Sequence, residues 1–484
     1  MIFRSYIFSK VQHALKKAME NFSYRQEKDL LGKMEIINTA YFGIQTQRAI
    51  NNFDLTEKKL KHYPELIRAL AYIKSACAKA NSKLNDLSEV KSKAICTAAN
   101  KVLSGEYDHS FPIDMVQGGA GTSTNMNINE VIANIALEEL GIEKGNYQHL
   151  HPNTDVNMSQ STNDVYPSAV RLAVLFRQEP LLMALEKLVQ AFSEKGVQFC
   201  GVLKLARTQL QDAVPMTLGQ EFSGFANTLK EDIKLLKQTS ALLTEINIGG
   251  TAVGTGINAK ENFGKLAIET LSELTKLNFT QASDLIEASS DMGAFVIYSA
   301  VLKRLALKLS KISNDLRLLS MGPRAGIGEI SLPSKQPGSS IMPGKVNPVI
   351  PEAVSQCSYQ VIGNDMAITM AAEAGQLQLN AMEPLITVNL LDSMNILTKS
   401  MRMFKVHCVD GIKANKSRCS DLLEQSLGLV TALNPYLGYE MSTVVAERAL
   451  AGGESVIDII KKEKLLTPEQ LSTILNIEKM TQPI

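Results

Sequence analysis

The chain has 484 residues, carries 50 Lys and Arg against 49 Asp and Glu, and is 45% hydrophobic. That balance supplies a large buried core and excludes a disordered or collagen-like chain. Near-neutrality leaves no global field for gripping nucleic acid or an acidic bilayer. The longest apolar run, around Ala294–Leu302, falls far short of the ~20 residues of a membrane-spanning helix. A soluble protein is expected, with no nucleic-acid or membrane partner.

The basic, acid-poor stretch 1–26 holds Arg4, Lys10, Lys16, Lys17 and Arg25 against Glu20. It reads as a frayed helical extension, or as the product of an upstream start codon with Met19 or Met34 as the usual start; an organelle-targeting presequence is the alternative. The expected division is an N-terminal extension over 1–28, an N-terminal domain over 29–160, a central domain of long helices over 161–415 and a small C-terminal domain over 416–484. Residues Asp29 to Pro64 are punctuated by Gly32, Asn38 and Gly43, which predicts turns and a short strand or two. Beyond Pro64, Leu66, Leu70, Ile73 and Cys77 form one helical stripe.

Three long helices are predicted in the middle. The first runs from Gln178 to about Leu205, with Pro180 near its first turn. Phe295–Met321 is ended by Gly322–Pro323, and Gln376 to about Val409 is interrupted only by Pro384. Helices of ~25–30 residues suit an elongated bundle, and the fold class expected is mainly all-α. The cysteines Cys77, Cys96, Cys200, Cys357, Cys408 and Cys419 show no CxxC spacing. They read as free thiols in a reducing, cytoplasmic setting, with the organelle matrix as the alternative through residues 1–26. His149 and His151 have no third ligand nearby, so no metal is expected.

Four polar clusters interrupt this helical text. Gln117–Glu130 begins Gln-Gly-Gly-Ala-Gly-Thr, where glycines bring backbone close to a ligand and Thr122 or Ser123 can cap a helix to about Leu140. An ordinary capped helix start reads the same way. His151–Pro167 is a run of uncharged hydrogen-bonding side chains in which Ser161, Thr162 and Asn163 offer donors to an anion; a surface loop is the alternative. In Arg207–Pro215, Thr208, Gln209 and Gln211 sit where a long helix is expected to end, as they would in a plain connector. Gly338–Pro348 reads Gly-Ser-Ser-Ile-Met-Pro-Gly-Lys-Val-Asn-Pro, a mobile loop bearing hydroxyls, a Lys and an Asn, and so a lid.

Together these segments resemble the fumarase/aspartase superfamily of lyases, from about Asp29 to the C-terminus. The resemblance implies a 20-helix core in a homotetramer, active sites shared by three subunits and no cofactor. It aligns Ser339 with the loop serine that acts as general base, and Lys345 and Asn347 with catalytic ligands of the substrate carboxylates. Thr122, Ser161, Thr162, Asn163 and Thr208 align with the rest of a dicarboxylate pocket; Gln209 and Ser340 join the substrate-binding set. Glu352 aligns with a carboxylate that supports a catalytic histidine in fumarases.

Gly118–Thr122 resembles the ammonia-eliminating branch, and Gln209 stands where fumarases carry His. Glutamine cannot shuttle a proton near neutral pH. Hydroxide needs a general acid to leave, whereas an α-ammonium departs as neutral ammonia. The activity implied is therefore interconversion of L-aspartate with fumarate and ammonia, with class II fumarate hydratase as the alternative. A recruited, non-catalytic scaffold is the third reading, disfavoured because Ser339, Lys345 and Asn347 are all present. Thr154 stands where fumarases show Asp, which speaks against a secondary anion site near His151.

Overall fold

The computed structural model describes residues 23–476 and 480–481. Most of the basic N-terminal stretch therefore lies outside the described residues. The mainly all-α expectation holds. The strands among the described residues form four two-stranded sheets.

The chain divides into two compact units. The first contains residues up to 179, 237–300 and 363–394. It opens on a hairpin of β1 (Tyr24–Asp29) and β2 (Gly32–Ile37), joined by exposed Leu30 and Leu31. Its first strand begins at Tyr24, inside the stretch assigned to the extension. Arg48 of α1 (Ile44–Asn52) clamps the end of β1 through both Asp29 oxygens, at 2.7 and 2.8 Å. Helix α2 (Pro64–Lys83) starts with Pro at its first position, and Leu66, Leu70, Ile73 and Cys77 are buried as the stripe predicts. It packs against α3 (Glu89–Leu103), α4 (Thr122–Glu139) and, later in the chain, α7 (Phe263–Thr275).

Helix α5 runs from Thr162 to Gln198. It starts well before the predicted Gln178 and stops before Leu205, with Pro167 and Pro180 both in its interior. A missing N–H and a ring clash weaken one turn each, yet buried side chains beside each proline, Tyr166 and Val170, Leu181 and Leu185, hold the helix in place. The expected helix end is instead a hairpin of β3 (Leu203–Thr208) and β4 (Gln211–Thr217), followed by α6 (Leu218–Thr239). Short strands β5 (Glu245–Ile246) and β6 (Thr280–Gln281) pair in parallel.

Helix α8 (Gly293–Leu319) matches its prediction within two residues at each end. Helix α9 (Val349–Glu373) was not singled out from the text, because Pro348 and Pro351 crowd its start and Gly363 interrupts its middle. Helix α10 covers Glu383–His407, later than the predicted Gln376. Residues Gln376–Leu379 make a tight turn, with Leu377 in the left-handed region, and Pro384 falls in the first helical turn.

The second unit contains residues 180–236, 301–362 and 395–484. The cuts between the two units fall inside α5, α6, α8, α9 and α10. An aromatic cluster of Phe192, Phe199, Phe222, Phe225 and Phe404 forms one part of its core, with ring centroids 5.2–6.1 Å apart. Strands β7 (Ile330–Ser331) and β8 (Lys413–Ala414) pair antiparallel. Among the described residues five helices follow: α11 (Lys416–Glu424), α12 (Gly428–Leu437), α13 (Tyr439–Gly452), α14 (Val456–Lys462) and α15 (Pro468–Ile474). Their apolar faces join Leu205 of β3 in a second core built on Leu429, Leu433, Val445 and Ile460.

Candidate active site

The site residues proposed from the sequence fall into two groups, one in each unit. Thr122, Ser161, Thr162 and Asn163 belong to the first; Thr208, Gln209, Ser339, Ser340, Lys345 and Asn347 belong to the second.

In the first unit, Gly119, Ala120 and Gly121 all have positive φ, the conformation that glycine adopts at least cost. A Cβ on Gly121 would lie 2.4 Å from the Tyr166 ring, so only glycine lets the start of α4 approach α5. Gly121 itself is the N-cap, with no side-chain cap bond. Thr122 does not cap as expected: it occupies the first helical position, is exposed, and donates its hydroxyl to Gly119 O at 2.7 Å. Gln117 Oε1 caps this helix start by accepting from Thr124 N at 3.1 Å, and Thr122 N donates to Gly119 O at 2.9 Å, so the helix end keeps its partial positive charge with two of its first N–H groups already satisfied.

Ser161 precedes α5 and accepts from Asn163 N at 3.3 Å through its Oγ. Its own N–H donates to Asp164 at 2.9 Å. Thr162 Oγ1 accepts from Asn125 Nδ2 at 3.2 Å, and Asn163 Nδ2 donates to Ala252 O at 2.7 Å. Asn157 Oδ1 gathers Asn125, Asn129 and the Lys74 ammonium, at 3.1, 3.2 and 2.8 Å. Lys74 also donates to Gln160 Oε1 at 2.9 Å. Its complete burial pushes its pKa down to about 7, while burial pushes the Asp164 carboxyl up to about 6 against three backbone N–H bonds. Two buried groups of opposite charge therefore underlie a loop of neutral donors.

These supporting residues were missed from the sequence. The legible signal was Asn125 and Asn129, four apart on a helix buried from Thr124 to Leu137; polar groups at helical spacing in such a segment must find partners. His151 is not a spare ligand. Its Nδ1 accepts from Asn153 N and Thr154 N at 3.0 and 3.2 Å, and burial lowers its pKa. Among the described residues no three His, Cys, Asp or Glu side chains converge as a metal centre requires.

In the second unit, Thr208 pairs with Gln211 across the tip of the β3–β4 hairpin. Gln209 and Leu210 make the two-residue turn at φ +54 and +63. That is the turn a tight hairpin needs, made here without glycine or asparagine. Thr208, Gln209 and Leu210 are all exposed.

The Gly338–Pro348 segment is a loop, as expected. Ser339 Oγ accepts from the backbone N–H groups of Ile341 and Met342, at 3.1 and 3.0 Å. Gly338 N donates to Lys345 O at 2.7 Å, and Asn347 Nδ2 donates to Gly338 O at 2.8 Å. Ser340 and Lys345 are exposed, Ser339 and Asn347 half-buried. Lys345, Asn347 and Glu352 line a cavity of about 840 Å³ together with Asn314, Arg317 and Asn415. The arrangement can hold a carboxylate through Lys345 and stabilise an ionised Ser339 oxygen with two backbone dipoles.

The comparisons with known proteins point the same way. A family described as "Lyase" matches residues 32–363, and "Fumarase C C-terminus" matches 429–482. The chain is 59% identical to an aspartate ammonia-lyase of Pseudomonas aeruginosa over 95% of its own length and 98% of that protein. It is 48% identical to that of Escherichia coli, over 95% and 96%. Among solved structures, fumarate lyase:delta crystallin from Brucella melitensis superposes with a TM-score of 0.93 at 54% identity, covering 95% of this chain and all of that one. A class II fumarase from Schistosoma mansoni gives 0.90 at 35% identity with the same coverage.

Proposed function

This chain belongs to the fumarase/aspartase superfamily of lyases, and from that premise we propose that it eliminates ammonia reversibly from L-aspartate to give fumarate. The observation that carries the reading is Ser339, whose Oγ already accepts two backbone N–H groups. Those dipoles favour the alkoxide over the neutral hydroxyl. The alkoxide takes the Cβ proton and becomes the hydroxyl, and the electron pair of the broken Cβ–H bond passes into the β-carboxylate as an aci-carboxylate. That pair then returns to form the double bond as the Cα–N bond breaks, and ammonia leaves with the bonding electrons. Charge develops on the β-carboxylate, so preorganised donors there lower the barrier most.

Lys345 and Asn347 supply such donors from the loop, and Thr122, Ser161, Thr162, Asn163, Thr208, Gln209 and Ser340 complete the dicarboxylate pocket. Gln209 supports ammonia over water as the leaving group, because the tip carries no imidazole. No cofactor enters the scheme, and no step is assigned to Glu352, which lines the same cavity as Lys345 and Asn347.

The working form is a homotetramer with a 20-helix core and active sites shared by three subunits, in the cytoplasm. Exposed Tyr359, Met366 and Met370 support it: they form an apolar stripe along α9 with 57%, 63% and 59% exposure, the kind of surface that marks an interface. No helix among the described residues is long and apolar enough to cross a membrane. Two measurements test the proposal. Purified protein given L-aspartate should release ammonia and fumarate in equal amounts, and light scattering should give about four times the chain mass of 52.9 kDa. Absence of ammonia from a folded tetramer refutes the activity, and a monomer that turns over refutes the shared sites.

A further inference from the structure

Glu329 is completely buried on the stretch that leads into the Ser339 loop, and two cations of β3 meet its carboxylate. Arg207 Nη1 donates to Oε1 at 2.9 Å. Lys204 Nζ lies 3.1 Å from Oε2 and 3.3 Å from Glu221 Oε2. Residues three apart on a regular strand face opposite sides. The register shift between Leu205 and Arg207 accompanies a local twist that brings Lys204 and Arg207 to one carboxylate. Arg207 is the residue immediately before the Thr208–Gln209 tip.

The backbone around Glu329 is equally held. Glu329 O accepts from Asn415 N at 2.9 Å, and Gly328 O accepts from Asn415 Nδ2 at 2.8 Å. Arg418 donates to Ile327 O and Gly326 O at 3.0 and 2.9 Å. Ile330–Ser331 then pair with β8, and residues 332–337 lead from there to Gly338. A network of two cations and two carboxylates in which Lys204 and Glu329 are buried is a weak source of stability, because desolvation offsets its attraction. It does fix direction, and here it fixes two segments against each other.

We propose that Glu329 is a positioning residue for the reaction. Through Arg207 it sets the Thr208–Gln209 tip, and through its carboxylate's contacts with Lys204 and Arg207 it anchors to β3 the stem of the loop that bears Ser339, Lys345 and Asn347. The inference rests on the proposed activity and adds a residue that touches neither substrate nor reacting atoms.

Two variants separate the two arms. Arg207→Gln releases only the tip, and Glu329→Gln keeps the side-chain shape while releasing the tip and loosening the stem. Arg207→Gln should raise KM for L-aspartate about ten-fold with kcat nearly unchanged, and Glu329→Gln should raise KM and lower kcat by about ten-fold each. Folded variants with both constants at wild-type values overturn the proposal. If Glu329→Gln fails to fold, Arg207→Gln alone decides, because a purely structural role lowers yield and Tm without moving KM. A wild-type protein that binds fumarate but does not turn over L-aspartate overturns the activity and not this inference. The fumarate Kd, by calorimetry, then replaces KM: it should weaken about ten-fold in Arg207→Gln, and an unchanged Kd overturns the positioning role. Wild-type protein that binds no fumarate overturns both.

Discussion

Asn347 donates its side-chain N–H to Gly338 O at 2.8 Å, tying the two ends of the Ser339 loop together. The Gly338 N–H returns the contact to Lys345 O at 2.7 Å. A Cβ on Gly338 would lie 2.1 Å from that same carbonyl. Gly338→Ala should therefore open the base of the loop and misplace Ser339, Lys345 and Asn347 together. The loop contributes little to the core, so the expected result is a loss of about a hundred-fold in kcat/KM with an almost unchanged Tm. Steady-state kinetics beside thermal denaturation checks both halves.

Ser339→Ala should lower kcat by about 10²–10⁴-fold, the range of a general base, with KM little changed. The hydroxyl has no other partner among the contacts described than Ile341 N and Met342 N, so the fold should not feel its loss. A variant that keeps most of its kcat assigns the proton abstraction to another group.

Leu210 is 70% exposed at φ +63. Its side chain packs against little and its backbone sits where L-residues are strained by about 1–2 kcal/mol. Leu210→Gly should relieve part of that strain, for a net gain of about 0.5–1 kcal/mol in denaturant unfolding. Loss of stability would show that the leucine has a partner in the assembled protein.

Lys74 links pH to stability. Complete burial holds its pKa at about 7 against an ordinary 10.5; nearby Cys77 and Asp164 oppose the shift only in part. The unfolded chain keeps the proton up to the ordinary value, and the folded chain gives it up near 7. Burial of the charge thus costs most below pH 7, and the cost is relieved as pH rises toward 10.5. Wild-type protein should gain on the order of a few kcal/mol relative to Lys74→Met across that window. Parallel stability curves would mean that Asn157 and Gln160 hold the ammonium charged throughout.

Much of this fold is legible in the amino-acid sequence. The stripe of Leu66, Leu70, Ile73 and Cys77, the stop at Gly322–Pro323 and the irregular Gly338–Pro348 loop all follow from periodicity and backbone chemistry. The β3–β4 hairpin was not, because a turn of Gln209 and Leu210 lacks the Asn-Gly or Gly signal that normally marks it. In sequence Pro180 resembles a first-turn proline and marks a helix start near Gln178; only tertiary packing shows it as interior to α5. Lys74 and Glu329 were invisible for a different reason. Lone charged residues in mixed text look solvated, and their burial depends on partners some 80 to 120 residues away in the chain.

The most direct test of the central claim offers the purified protein L-aspartate and, separately, L-malate, and follows the ultraviolet absorbance of the conjugated fumarate product. Fumarate from L-aspartate alone is the predicted result. Fumarate from L-malate alone would contradict the account, because a site with Gln209 at the hairpin tip would then be expelling water without the imidazole that water elimination is argued to require.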